Sequence, residues 1–199
     1  MRLGLFGGTF DPVHIGHLLL AEQCREQCAL DQVWFVPSGR PPHKNQDKLT
    51  SVKSRLDMLE LATAGFGAFV VSHLELEREG PTYTVDTLQQ LQDEDASREL
   101  FFMIGTDSLA DLPNWHNPSR IAQLATIVVA DRGNQTIPDL HSFGPQLEAD
   151  LLSKIQFVTM PGIDLSATDI RRRICEGKSI RFMVNRAVEV YIAEHQLYG

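Results

Sequence analysis

Two histidines three residues apart, His14 and His17, follow a glycine pair and an Asp-Pro step in the run Gly7 to His17, G-G-T-F-D-P-V-H-I-G-H. These residue types at this spacing suit the handling of an anion. Gly7 and Gly8 are expected to take positive φ and let the backbone approach a bound group without a Cβ in the way. Asp11-Pro12 imposes an extended or turn conformation and closes the loop. Arg2 to Phe6 before the run reads as a short apolar strand, and Leu18 to Leu30 after it as a helix with a broad apolar face. The histidines then stand at a helix start with both imidazoles on one face. Backbone N–H groups and the helix dipole favour negative charge there. Gly16 is expected to leave the helix surface bare enough for a ligand to lie flat against it.

Simpler readings compete. A glycine pair after a strand is often only a tight turn, and two histidines at this spacing could ligate zinc, although no cysteine or second acidic cluster lies at ligand spacing. The chain has neither a G-x-G-x-x-G nor a G-x-x-x-x-G-K-[ST] motif. Gly177-Lys178-Ser179 looks like the tail of the latter, but Arg172 stands where its first glycine belongs.

Further segments carry chemistry of their own. Pro37 to Lys44, P-S-G-R-P-P-H-K, is either a stiff solvated loop or a lid that brings Arg40, His43 or Lys44 over phosphates. Glu79 to Thr87, E-G-P-T-Y-T-V-D-T, reads as a turn at Gly80-Pro81 and an N-cap from Thr82 or Thr84, with Tyr83 packing. The same helix start offers N–H groups that suit a carboxylate. In Gly105 to Trp115, G-T-D-S-L-A-D-L-P-N-W, Asp107 could cap a helix and Trp115 could be core. A strand ending in Gly-x-Asp also puts a carboxylate where ribose hydroxyls could donate to it, and tryptophan offers a face for a pyridinium ring. In Leu165 to Arg173, L-S-A-T-D-I-R-R-R, Ser166 and Asp169 make a capping box. Three arginines at a helix start would oppose the dipole, a conflict that a bound polyphosphate would relieve.

The elements that must position these groups alternate along the chain. Strands are expected at Arg2 to Phe6, Gln32 to Val36, Ala68 to Leu74, Leu100 to Ile104, Ala125 to Ala130 and Ile155 to Thr159. Helices are expected at Leu18 to Leu30, Lys53 to Thr63, Tyr83 to Leu91, Arg120 to Leu124, Ser166 to Cys175 and Met183 to His195. Asp131 to Pro145 reads as a long surface loop. Alternation of this kind gives an α/β fold: a doubly wound, mostly parallel sheet with helices on both faces, expected to form a single domain over residues 1–199.

Composition narrows the partners. With 199 residues, 43% hydrophobic and 22% charged, the chain has enough apolar material for a sizeable core. A net charge of −8 argues against broad binding to nucleic acid or an anionic membrane, so an anionic substrate must be met by local donors. The chain opens directly on a strand and no apolar run approaches a membrane span, so the expectation is a cytoplasmic protein. The three cysteines form no framework and are expected to be reduced. A homo-oligomer is compatible with this composition.

The run from Gly7 to His17 resembles the signature of nucleotidyltransferases with an H-x-G-H or T-x-G-H motif. Its full form, G-G-T-F-D-P-x-H-x-G-H, is similar to that of the bacterial nicotinate-nucleotide adenylyltransferases. Later segments extend the resemblance over nearly the whole chain. S-A-T-D-I-R matches the family's I-S-S-T-x-I-R with departures at Leu165 and Ala167, and the closing F-M-V-N-R-A-V-E-V-Y-I has Asn185 where a proline is common.

The resemblance implies a Rossmann-like nucleotidyltransferase that moves the adenylyl group of ATP to nicotinate mononucleotide in NAD biosynthesis, releasing pyrophosphate. It implies ATP contacts from Gly7, Gly8, Thr9, Phe10, His14, His17 and Gly105, with Asp107 near a ribose and Arg132 near the adenine. Ser166, Thr168 and Arg171 would hold phosphates. Lys44, in a P-x-H-K loop, would lie close to both nucleotides. Nicotinate would meet the main chain at Tyr83-Thr84 and the ring of Trp115. Catalysis would rest on His14, His17, Lys44 and Arg171, with Mg²⁺ bound mainly through the ATP phosphates. The rival readings are the same transfer to nicotinamide mononucleotide or phosphopantetheine, and a regulatory nucleotide-binding module without turnover. The Y-T and G-x-D…W features argue against phosphopantetheine, and the missing dinucleotide fingerprint argues against a dehydrogenase.

Overall fold

Apolar runs buried on both faces form strands, and here six of them line up in parallel in the order β3-β2-β1-β4-β5-β6. The computed structural model describes residues 1–39, 49–78, 80–131 and 152–199. Within them the strands are β1 (Arg2–Gly8), β2 (Gln32–Pro37), β3 (Phe69–Val71), β4 (Glu99–Gly105), β5 (Ala125–Asp131) and β6 (Ile155–Thr159). The helices are α1 (Ile15–Gln27), α2 (Val52–Thr63), α3 (Thr84–Glu94), α4 (Thr106–Asp111), α5 (Pro118–Leu124), α6 (Ala167–Cys175) and α7 (Arg186–Glu194). A 3₁₀ turn, Leu112–Asn114, follows α4. The doubly wound α/β sheet expected from the sequence is therefore present, with every pairing parallel.

Strand side chains alternate between two cores. Phe6, Val33, Phe35, Phe101, Met103, Val128 and Ala130 point to one side, where Leu20 of α1, Met58 of α2, Ile170 of α6 and Val188 of α7 cover them. Leu3, Leu5, Leu100, Phe102, Ile104, Ile127 and Val129 point to the other, against Leu88 of α3, Leu109 of α4 and Ile121 of α5. All three cysteines are free, and burial pushes the Cys24 thiol up to about 12, which keeps it protonated.

This winding creates the place for a site. The connection after β1 leads to α1 on one face, and the connection after β4 leads to α4 on the other. Neighbouring strands whose chains depart in opposite directions leave a crevice at their carboxyl ends.

Two boundaries differ from expectation in ways that matter. α1 starts at Ile15, three residues before Leu18, so His14 is its N-cap and His17 its third residue. After Gly105, where the sequence suggested at most a helix cap at Asp107, the chain coils into α4 and the 3₁₀ turn. The expected loop from Asp131 to Pro145 lies, beyond its first residue, outside the described residues.

Candidate active site

The signature run begins inside the sheet. Gly7 and Gly8 are the last residues of β1, in register with Val36 and Pro37 of β2. Neither glycine takes the positive φ expected of it; that conformation falls on Phe10, at φ 50°. The reason lies in packing. Phe10 folds its buried ring back under the strand end, and a Cβ on Gly8 would come within 2.8 Å of that ring. Gly16 is likewise explained from inside the protein. A Cβ there would meet the His14 imidazole at 3.1 Å, so the space predicted for a ligand is filled by a histidine.

The two histidines form one unit. Their rings stack at 3.6 Å with planes 22° apart. His14 is buried, 4% exposed, whereas His17 lines the crevice. The Nδ1 of His17 accepts the backbone N–H of His14 at 3.2 Å. A neutral ring that accepts at Nδ1 carries its proton at Nε2. Phe6 and Phe10 flank the His17 ring at 5.9 and 5.2 Å, which fixes its orientation. The result is a single oriented N–H donor.

The crevice has a volume of about 440 Å³, within the range of small-ligand pockets. Of the residues singled out in the sequence, Gly7, Gly8, Thr9, His17, Thr84, Gly105 and Trp115 line it. Trp115 packs edge-to-face on Phe102 at 5.7 Å. Tyr83 does not line it: more than a third exposed, it stacks on His116 at 4.5 Å. Tyr83, rather than Thr82 or Thr84, is the N-cap of α3, and it supplies no side-chain cap. The start of α3 thus reaches the crevice at Thr84 with its dipole uncompensated by its own cap residue.

Five polar residues to which the sequence assigned no ligand also line the crevice: Ser38, Glu75, Thr82, Thr87 and Ser108. Glu75 accepts the hydroxyl of Thr87 at 3.0 Å, and Arg78 donates to the same hydroxyl at 3.2 Å. Burial holds the Glu75 carboxyl above its ordinary range, partly offset by the Thr87 and Thr82 hydroxyls and the Arg78 charge. One glutamate among the three of L-E-L-E-R-E gives no sign of this in the sequence.

The second strong motif corrects an expectation. α6 runs from Ala167 to Cys175, so Arg172 and Arg173 lie in its last turn, where cations suit the dipole. Arg172 pairs with Asp169 at 2.7 Å and Arg173 donates to the carbonyl of Ser179 at 2.9 Å. There is no cluster of three cations at the helix start. The cap itself is as read: the Ser166 hydroxyl accepts the Asp169 N–H at 3.1 Å and donates to the Asp169 carboxylate at 2.8 Å. Only Arg171 turns towards the signature run. Its Nη1 donates to the carbonyl of Asp11 at 2.7 Å, 160 residues away, and its Nη2 to the Thr168 hydroxyl at 3.3 Å. Lys44, with Arg40 and His43, and Arg132 lie outside the described residues, as does the side chain of Asp107, the second residue of α4.

What the arrangement can do follows from its parts. A fixed imidazole N–H, an uncapped helix start and an aromatic face share one crevice with little acid in it. That set suits an anionic substrate carrying an aromatic ring.

Comparison with known proteins agrees with this geometry. The cytidylyltransferase-like family model matches residues 5–173. The chain is 47% identical to the probable nicotinate-nucleotide adenylyltransferase of Thermomicrobium roseum, over 99% of this chain and 91% of that one. It is 45% identical to the probable nicotinate-nucleotide adenylyltransferase of Thermus thermophilus, over the full length of both. Among solved structures, the fold is similar to Plasmodium falciparum nicotinic acid mononucleotide adenylyltransferase complexed with NaAD, with a TM-score of 0.78 at 17% identity over 99% of this chain and 97% of that one. The same parasite enzyme complexed with APC gives a TM-score of 0.77 at 16% identity, covering 99% and 96%.

Proposed function

The chain belongs to the nicotinate-nucleotide adenylyltransferases within the cytidylyltransferase-like family, and from that premise we propose how its crevice carries out the reaction. The enzyme transfers the adenylyl group of ATP to nicotinate mononucleotide, giving the deamido dinucleotide and pyrophosphate in NAD biosynthesis. A phosphate oxygen of the mononucleotide attacks the α-phosphorus in line, and the bond to the bridging oxygen of the β-phosphate breaks. The attacking phosphate is already ionised, so no protein nucleophile is required. Catalysis is then positioning and charge stabilisation.

The observation that carries this reading is His17: one oriented N–H at the mouth of a parallel-sheet crevice, with its tautomer set by the His14 backbone. His17 donates from Nε2 to the α-phosphate as charge develops on it. His14 holds the stack from beneath and completes the pair. Gly7, Gly8 and Thr9 bring backbone close to the phosphates, while Phe10 shapes the loop from below. Arg171, with Ser166, Thr168 and Lys44, holds the β- and γ-phosphates. Asp107 and Gly105 receive a ribose, and Arg132 packs near the adenine. The nicotinate carboxylate meets main-chain N–H groups at Tyr83-Thr84, and its ring lies on Trp115.

Among the described residues no three His, Cys, Asp or Glu side chains gather as a metal group. In our reading Mg²⁺ would be held mainly by the ATP phosphates and water beside Lys44 and Arg171, and would supply neutralisation of phosphate charge. No helix among the described residues is long and apolar enough to cross a membrane. We place the enzyme in the cytoplasm as one nucleotidyltransferase domain over residues 1–199, with no nucleic-acid partner.

Pyrophosphate release with ATP and a panel of acceptors tests the proposal. Rapid release is expected with nicotinate mononucleotide, and slow or no release with nicotinamide mononucleotide and phosphopantetheine. Release with none of them would make the chain a binding module.

A further inference from the structure

Beneath the signature run lies a polar cluster whose side chains do not themselves line the crevice. Arg55 of α2 is 1% exposed, one of the largest side chains to be fully buried, and sits on the helix face that also carries Met58 and Leu59. Its Nη1 donates to two main-chain carbonyls, Thr9 at 2.9 Å and Ser38 at 2.9 Å, and its Nε donates to the carbonyl of Thr50 at 3.3 Å. Thr9 follows β1 and Ser38 follows β2, and both residues line the crevice. Ser38 in turn donates its N–H to the carbonyl of Gly8 at 2.9 Å. One guanidinium therefore fixes the spacing of two rims of the site.

The adjoining carboxylate is held from the far end of the sequence. Asp11 is 2% exposed; one of its oxygens accepts the Tyr198 hydroxyl at 2.6 Å and the other the Thr50 N–H at 3.3 Å. Tyr198 is 187 residues from Asp11. The Asp11 charge also partly offsets the burial of Arg55.

A buried ion of this kind is poorly explained by stability alone, because well-packed apolar side chains often serve a core as well or better. A planar guanidinium whose Nη1 and Nε donate to three carbonyls does something that apolar packing does not: it sets distances and directions between chain segments. We propose that Arg55 and Tyr198 are positioning residues for adenylyl transfer, holding Thr9 and Asp11 so that the His14–His17 pair meets the reacting phosphate correctly. This rests on the function proposed above.

The test uses the full chain with Tyr198→Phe and Arg55→Lys, measuring pyrophosphate release from ATP and nicotinate mononucleotide alongside thermal melts. Misplacement of about 1 Å in a site can lower a rate by about a hundredfold. We expect kcat to fall about tenfold in Tyr198→Phe and further in Arg55→Lys, which keeps the charge but loses the fork. KM for both substrates should stay within about twofold, since neither side chain touches them. A kcat within about twofold of the parent, with only the melting temperature lowered, would assign the cluster to stability and overturn the proposal. So would a change confined to KM, or a Tyr198→Phe chain that does not fold. If Arg55→Lys alone fails to fold, Tyr198→Phe decides. A parent that releases no pyrophosphate with any acceptor sinks the function itself and this proposal with it, whereas an active parent with unaffected variants sinks only this one.

Discussion

His17 shows how much chemistry a single hydrogen bond can decide. With Nδ1 occupied by the His14 backbone, the ring presents Nε2–H without waiting for a rotamer or tautomer change. Loss of one such transition-state donor lowers a rate by about 10²–10³. His17→Ala should therefore show that fall in kcat while the chain still folds; a folded variant with normal kcat would remove His17 from the mechanism. Glu75 makes a separate statement about pH. Its carboxyl is held above the ordinary value of 4.5, mainly by burial. As pH rises through that window the folded chain keeps a proton that the unfolded chain has released, so this group subtracts stability at higher pH. Glu75→Gln should raise the melting temperature at pH 8, and the gain should shrink as pH falls towards 4.5. An equal gain at both pH values would mean that its ionisation is not the cause.

At the scale of elements, the start of α6 combines two roles that mutation can separate. Ser166 caps the helix, so Ser166→Ala should lower stability by about 1 kcal/mol in denaturant unfolding. Arg171 reaches across to Asp11, and Arg171→Ala should raise KM for ATP through loss of a charge-assisted contact to polyphosphate. If Arg171→Ala changed only the melting temperature, the arginine would be a structural tie. Most elements were legible in the sequence because continuous apolar runs mark strands covered on both faces. α4 was not: six residues are too few for a periodic pattern to emerge. The reading of α6 went astray through register, since a helix of nine residues turns a triple arginine from a start signal into an end signal. Arg55 did leave a trace in the sequence, a charge on the apolar stripe of α2 with Met58 and Leu59 three and four residues on. Tyr198 left none, because its partner is fixed only by the folded chain.

Across the whole molecule, the crevice separates chemistry from choice of acceptor. The histidine pair comes from the segment after β1, whereas Thr84 at the start of α3 and Trp115 beyond α4 line the same space from another side. Replacing the nicotinate carboxylate by an amide removes a full charge and turns an acceptor towards donor character. A hydrogen bond to a charged group contributes roughly 1.5–3 kcal/mol, so the acid should be preferred by about 10–150-fold in kcat/KM. On the proposed main-chain contacts, Thr84→Ala should keep much of that preference, and Trp115→Ala should weaken both acceptors. Equal kcat/KM for the acid and the amide would sink the acceptor assignment and leave the adenylyl chemistry standing.

The ties that hold the signature run have a consequence for how the chain comes into being. Residues 7–17 are close together in sequence, yet the loop is anchored by Arg55, by Arg171, by Tyr198 and by the carbonyl of Met183, which accepts the N–H of Ile15 at 2.9 Å. The ties to Arg171 and Tyr198 span 160 and 187 residues. β1 can pair with β2 early, since their partners are close in sequence, but the frame of the histidine loop closes only when distant segments meet. The signature and the first parallel strands can therefore form before the histidine loop has its anchors, so the site takes shape as a late, long-range event in folding.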